Sequence, residues 1–243
     1  MVQSGFYALA VIALAMVFYL LHYGRQRKTL VLLYAIVFTA WIVYVVIIAR
    51  TGLLADFSLP PRLPLLIVIP AIVGCIFLTG RSNFREVLNQ TPLYVPVYFQ
   101  SFRILVELLI YGAFLQGVFP ERATFSGINY DILVGASAPI MGLLVQSKKI
   151  SYTGLLVWNG IAMSILSVTV YAFISTYYFT DYVTQAGNTD FTKLPYLLLA
   201  SVLLPVAVFL HIFSLRQILM ARRQAGTPDS KTVSKNSVAR MMN

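Results

Sequence analysis

Arg103 and Glu107 are side chains of opposite charge, four residues apart inside one apolar run, Leu93 to Val118. On a helix that interval stacks one group above the other, with Gln100 a turn below and Tyr111 a turn above. A charge near the middle of a bilayer costs about 2.5–3.5 kcal/mol on insertion scales, so such groups face protein or water rather than lipid. Two readings of the pair stand side by side. One is a proton or ion relay, or a clamp for a charged substrate; the other is a mutually neutralising pair that fixes helix packing. Asn129 and Asp131 open a later apolar run. Asn is a good N-cap and Asp suits the positive first turn of a helix, so capping competes with a role at an outer mouth. Asn159, beside Trp158, can bond between helices. His211 is either a satisfied interior histidine or a group that exchanges protons or bonds to a substrate. Pro205 frees the carbonyl of Ser201 for an ion or for a neighbouring donor. With a rise of about 1.5 Å per residue, these groups form a ladder along the membrane normal. Asn159, His211 and Arg103 lie low in it, Glu107 at mid-depth, and Tyr111, Asn129 and Asp131 above.

Other chemistry has no residues to carry it. His22 and His211 are the two histidines, too few for a three-histidine zinc site, so no metal is expected. A retinal protein needs a lysine deep in its last helix, and Lys193 stands at the start of the last run. Gly135-Ala136-Ser137-Ala138 lacks the second glycine of a serine-nucleophile turn and lies in a helical pattern. There is no Gly-rich phosphate loop, and no cofactor is indicated. The lone Cys75 permits no intrachain disulfide and reads as a small buried hydrophobe.

The elements that position these groups follow from composition. The chain is 59% hydrophobic and only 11% charged, with mean hydropathy +0.80. A soluble domain keeps about a quarter of its residues charged. The expected fold is an all-α integral membrane protein with seven transmembrane helices. They fall at about Ser4–Tyr23, Thr29–Ala49, Leu65–Thr79, Leu93–Val118, Asn129–Val145, Gly154–Tyr178 and Leu194–Met220. The first run has neither the basic start nor the cleavage site of a signal peptide and is read as an anchor. A Pro-rich link, Leu59 to Pro64, ends any helix before the third span, and Pro70 should bend that span. Between Gly80 and Pro92, Phe84, Val87 and Leu88 share one face, Arg81 and Arg85 can reach headgroups, and Asn83 and Glu86 have capping-box spacing. That stretch is either a helix on the membrane surface or a polar loop. Small residues at Gly135, Ala138 and Gly142, and at Gly160, Ser164 and Ser167, form two stripes for close helix packing. No internal repeat is expected at three- or four-helix offsets. From Ala221 the chain is polar, basic and aperiodic, as in a disordered tail.

Lys and Arg set the orientation. With the N-terminus outside, thirteen fall on the cytoplasmic side and four outside, Arg103 being the remaining one of 18. The chain is thus expected in the inner (plasma) membrane with a cytoplasmic C-terminus. Its net charge of +10 is scattered over span ends, which indicates anionic lipid headgroups rather than nucleic acid as partner.

Phe102-Arg103-Ile104-Leu105-Val106-Glu107 and the stretch Pro120 to Gly135 together resemble an uncharacterised family of bacterial seven-span membrane proteins. Its motif reads approximately F-R-x-x-V-E, then P-x-x-M-T-F-x-G-x-N-F-D-I-L-V-G-x-x-A-P. Leu155-Leu156-Val157-Trp158-Asn159 and Leu210 to Gln217 are similar to later parts of that family, and Ala123 departs from its usual methionine. The resemblance implies the seven-span topology and adds weight to the same polar residues; no activity comes with it. Three functions remain for test: binding or movement of a small polar or charged solute or proton, a non-transporting sensor or assembly factor, and an enzyme acting on lipid. The last lacks a nucleophile–base pair or a metal set.

Overall fold

The protein is described from a computed structural model covering residues 1–24 and 27–226. Arg25 and most of the expected tail lie outside the described residues. The helices are α1 (Val2–Leu21), α2 (Arg27–Arg50), α3 (Ile69–Gly80), α4 (Ser82–Gln90), α5 (Tyr94–Phe99), α6 (Phe102–Leu115), α7 (Asp131–Gln146), α8 (Tyr152–Phe179), α9 (Tyr182–Ala186) and α10 (Leu204–Gly226). A π-helical turn leads into α3 (Pro64–Val68) and another into α10 (Leu199–Leu203). No strand occurs among the described residues. Five helices are long and apolar enough to cross a membrane, or six if the bent pair α3–α4 is one span. α7 is apolar but shorter. The last span is the axis of the molecule, with 61% of its apolar window buried, whereas α2 is peripheral at 11%. α10 also continues into the stretch expected as tail.

Contrary to expectation, the chain contains a repeat. Buried Phe6, Leu9, Ala10, Ala13 and Val17 of α1 have the same spacing as buried Asp131, Val134, Gly135, Ala138 and Gly142 of α7. Without any shift of register, Leu30 and Tyr34 of α2 then correspond to Leu155 and Asn159 of α8, all four buried. Downstream, Asp56-Phe57-Ser58-Leu59-Pro60 answers Asp190-Phe191-Thr192-Lys193-Leu194-Pro195. The distance from each Leu-Pro to the next π-helical turn and to Pro70 or Pro205 is the same in both copies. Phe57 and Phe191 touch, with ring centroids 5.5 Å apart, and the two π-helical turns pack together. The two matched stretches flank α5–α6, and α6 packs on the first helix of each; they are not packed alike, since α8 lies on α10 whereas α2 and α3 scarcely meet. Sequence reasoning missed the match because the polar residues are kept in one copy only: Phe6 and Tyr34 stand where the second stretch has Asp131 and Asn159.

The π-helical turns come from the prolines that follow them. Proline has no amide hydrogen and its ring crowds the carbonyl four residues back, so the ladder widens by one residue. Ile69 N–H and Leu204 N–H bond to Pro64 O and Leu199 O instead. The carbonyls left over are Leu66 O and Ser201 O, and α2 takes both. Tyr44 Oη donates to Leu66 O at 3.0 Å, and Trp41 Nε1 donates to Ser201 O at 2.8 Å. The Ser201 carbonyl is thus held by a neighbouring side chain. Trp41→Phe keeps most of the ring and removes the donor. It is expected to lower stability by about 1–3 kcal/mol, the cost of an unsatisfied buried acceptor, read as a drop in unfolding midpoint in detergent.

Several local expectations are revised. The fourth run is one span, Tyr94–Leu115, made of α5 and α6, because Ser101 Oγ and its own N–H both bond to Tyr98 O and the ladder shortens to three-residue steps through Ile104. α4 makes a 79° bend with α3, and its face of Phe84, Val87 and Leu88 is buried against protein rather than laid on lipid. Phe84 meets Tyr34, Phe209 and Phe213. No capping box forms; the N-cap is Arg81, with no side-chain bond. Gln217 of α10 secures the other end of α4 by donating to Leu88 O and Thr91 O. Of the small stripes, Gly135 and Gly142 press on Ile104 and Tyr98, whereas Gly160, Ser164 and Ser167 face away from the bundle.

Candidate functional site

The short steps before Arg103 and the absence of a side chain at Gly135 bring α6 and α7 into backbone contact. A Cβ on Gly135 would stand 2.7 Å from Ile104 N. At this contact the Arg103 guanidinium lies across the first turn of α7. Arg103 Nε donates to Asp131 Oδ2 at 2.6 Å, and Nη2 meets Asp131 Oδ1. This fork-to-carboxylate pairing is stronger and more directional than a single contact. Arg103 therefore pairs with Asp131 of the neighbouring helix, not with Glu107 one turn along its own. Asp131 is 3% exposed, behind a loop from Pro120 to Tyr130 that folds back on itself. Gly127 closes that loop, where a Cβ would meet the Arg122 backbone at 2.6 Å.

The rest of the cluster can be traced donor by donor. Arg103 Nη1 lies 3.0 Å from His211 Nε2, and His211 Nδ1 lies 2.9 Å from Asn159 Oδ1. A guanidinium only donates, so Nε2 accepts and the imidazole hydrogen sits on Nδ1, donating to Asn159. Asn159 Nδ2 then donates to Leu155 O and to Ser214 Oγ, at 2.9 and 3.1 Å. Asn129 is the second hub and uses all its capacity. Its Nδ2 donates to Glu107 Oε2 at 2.8 Å and to Ala123 O at 2.9 Å. Its Oδ1 accepts from Thr169 Oγ at 2.6 Å and from Asp131 N–H at 3.0 Å. Asn129 is not the N-cap that was expected, since Tyr130 holds that position without a side-chain bond; its bond to Asp131 N–H is a side-chain turn just ahead of α7, so Asn129 braces the entry to the helix and binds the cluster at once. Ala123 contributes only its carbonyl to the cluster.

Of the residues singled out in the sequence, Arg103, Glu107, Asn129, Asp131, Asn159 and His211 come together, all fully or almost fully buried. Gln100 and Tyr111 do not join them. Gln100 Nε2 donates to Ala207 O at 3.4 Å, and Tyr111 stacks on Phe125 with centroids 4.7 Å apart. Thr169 and Ser214 belong to the cluster and were not singled out. Thr169 lies at helical spacing from Asn159, Ala162 and Leu166 on one face of α8, the one signal that points to it.

Among the described residues no group of three or more His, Cys, Asp or Glu is placed to hold a metal. A cavity of about 100 Å³ adjoins the cluster. Arg103, Glu107, Asp131 and Thr169 form its polar end, and the remainder is lined by α6, α8, Pro64 and Val68, and Leu199 and Leu203 of the second π-helical turn. Pro64 corresponds to Leu199 in the repeat and Val68 to Leu203, so the cavity lies at the junction of the two matched stretches. In the polar end three buried atoms make no regular hydrogen bond: Arg103 Nη2 and Asp131 Oδ1, which meet each other in the ion pair, and Glu107 Oε1, which has no partner at all. A second cavity of about 100 Å³ lies between α1, α2, α3 and α10, with Tyr34 in its wall. No family model, no curated protein and no solved structure matches this chain.

Proposed function

We propose that the chain crosses the inner (plasma) membrane seven times, N-terminus outside and C-terminus cytoplasmic, and binds or moves a small polar or charged solute, or a proton, through the cluster at Arg103 and Glu107. The observation that carries this reading is the cavity at the junction of the two matched stretches, which ends on an unpartnered Glu107 oxygen. A buried carboxylate oxygen with no donor is costly and is retained where something exchanges with it. The distribution of Lys and Arg supports the orientation. The matched spacing of the two stretches supports movement, because many carriers are built from two related halves about a central site. Exposed Arg85, Lys148 and Lys149 at the cytoplasmic ends suit anionic headgroups.

Proteoliposomes loaded with a pH-sensitive dye, and the same vesicles with candidate solutes, test the proposal. Glu107→Gln is expected to abolish flux while the purified protein stays folded and monodisperse. Undiminished flux in folded Glu107→Gln and Arg103→Ala variants would remove the reading. A second reading, a non-transporting sensor or assembly factor, rests on Arg103 being fully engaged by Asp131 and His211, as a structural ion would be. On that reading, removal of the residues after Gln224 abolishes the cellular phenotype and Glu107→Gln leaves it intact.

A further inference from the structure

The chemistry of the cavity narrows what can occupy it; this step rests on the solute-binding reading above. Every other polar group at its charged end already has partners. Arg103 is held by Asp131 and His211, and Thr169 Oγ donates to Asn129 Oδ1. What remains is one acceptor, Glu107 Oε1. An occupant must therefore bring a donor and has no use for a second acceptor. The charges agree with this. Arg103 and Asp131 neutralise each other in one fork, and Glu107 receives only the neutral amide of Asn129. Arg103 acts on Glu107 only through space and is committed to Asp131, so an ionised Glu107 has no cation in contact with it. The rest of the wall is almost wholly apolar, with Val106, Ile110, Leu166 and Leu203 facing the same space, and the hydroxyls of its Tyr177, Tyr178 and Tyr196 are already bonded to Val118 O, Leu63 N–H and Gln116 Oε1. Such a wall favours an apolar body over a hydrated ion, and the volume suits a few carbon atoms rather than a lipid chain.

We propose that this cavity binds a small primary alkylamine as its ammonium ion, with the alkyl body against the apolar wall and one N–H donating to Glu107 Oε1. When the cavity is empty, Glu107 takes up a proton in place of the ammonium ion. Binding then releases that proton, so amine and proton compete for one carboxylate.

The test uses the full-length protein in detergent, titrated with n-butylamine, butan-1-ol and butyrate and followed by unfolding midpoint and calorimetry. A saturable shift with butylamine is expected, roughly ten- to a hundredfold tighter than with butanol, the ratio that one charge-assisted hydrogen bond supplies. Butyrate should give none. Apparent amine affinity should fall as pH is lowered, because protons occupy Glu107. Glu107→Gln should bring butylamine down to the level of butanol. Should that variant fail to fold, Ala200→Leu, which narrows the cavity from its apolar wall, is expected to weaken butylamine and butanol alike. Equal affinity for amine and alcohol, or a preference for butyrate, overturns the proposal. Binding of amine without flux in vesicles upholds this site and removes transport. Proton flux without amine preference does the reverse.

Discussion

Asp131→Ala is expected to destabilise the protein by about 3–5 kcal/mol, because it leaves the Arg103 guanidinium buried without its counter-ion. The loss goes beyond one contact. Arg103 would keep only His211, and the polar chain through His211 and Asn159 to Ser214 would be anchored on an uncompensated cation. Unfolding midpoints in detergent would register the effect, as would the fraction of monodisperse protein after extraction. The pair as a whole need not stabilise the fold, since replacing both ions by apolar groups of similar volume is often neutral or better. The double variant Arg103→Met with Asp131→Leu should therefore recover most of the loss. If it were no better than Asp131→Ala alone, the damage would lie in helix packing and not in the bare charge.

Gly135→Val should be nearly as severe, at about 3 kcal/mol or more, since overpacking already costs about 1–3 kcal/mol where side chains can yield. Here the obstacle is backbone: the new Cβ would meet Ile104 N at 2.7 Å and Arg103 C at 3.3 Å. α6 and α7 would have to move apart, and the Arg103–Asp131 fork with them. Gly160→Ala is the control. Nothing lies within 4 Å of that position, so the change should be neutral or stabilising by up to about 0.5–1 kcal/mol from helix propensity alone. Equal losses at the two glycines would contradict the contact.

The two variants mark where reading the residues succeeds and where it does not. The stripe Gly135, Ala138, Gly142 has the spacing of a close helix contact and makes one. The equally regular stripe Gly160, Ser164, Ser167 makes none within the chain. Small side chains permit an approach; only a partner helix produces it. The proline breaks follow the same rule. That Pro205 releases the Ser201 carbonyl is dictated by covalent structure, whereas the donor, Trp41, stands on a helix far away in the chain.

The amino-acid sequence by itself determined that the chain is helical and apolar enough for a membrane, and which few ionisable and amide side chains must be kept from lipid. Hydrophobicity and the cost of burying charge decide both, residue by residue, without knowledge of neighbours. The repeat was not legible, because its polar residues diverge; the Asp-Phe and Leu-Pro signatures stand out only once the two π-helical turns are seen packed together. Only the tertiary structure decided that Arg103 turns to Asp131 rather than to Glu107, that Asn129 joins the Glu107 carboxylate to the Asp131 backbone N–H, and that one Glu107 oxygen is left over beside a cavity. Spacing along a helix sets which groups share a face, but which face meets which depends on the rotation and approach of separate helices. Those are set by the packing of the whole bundle, not by any one segment of it.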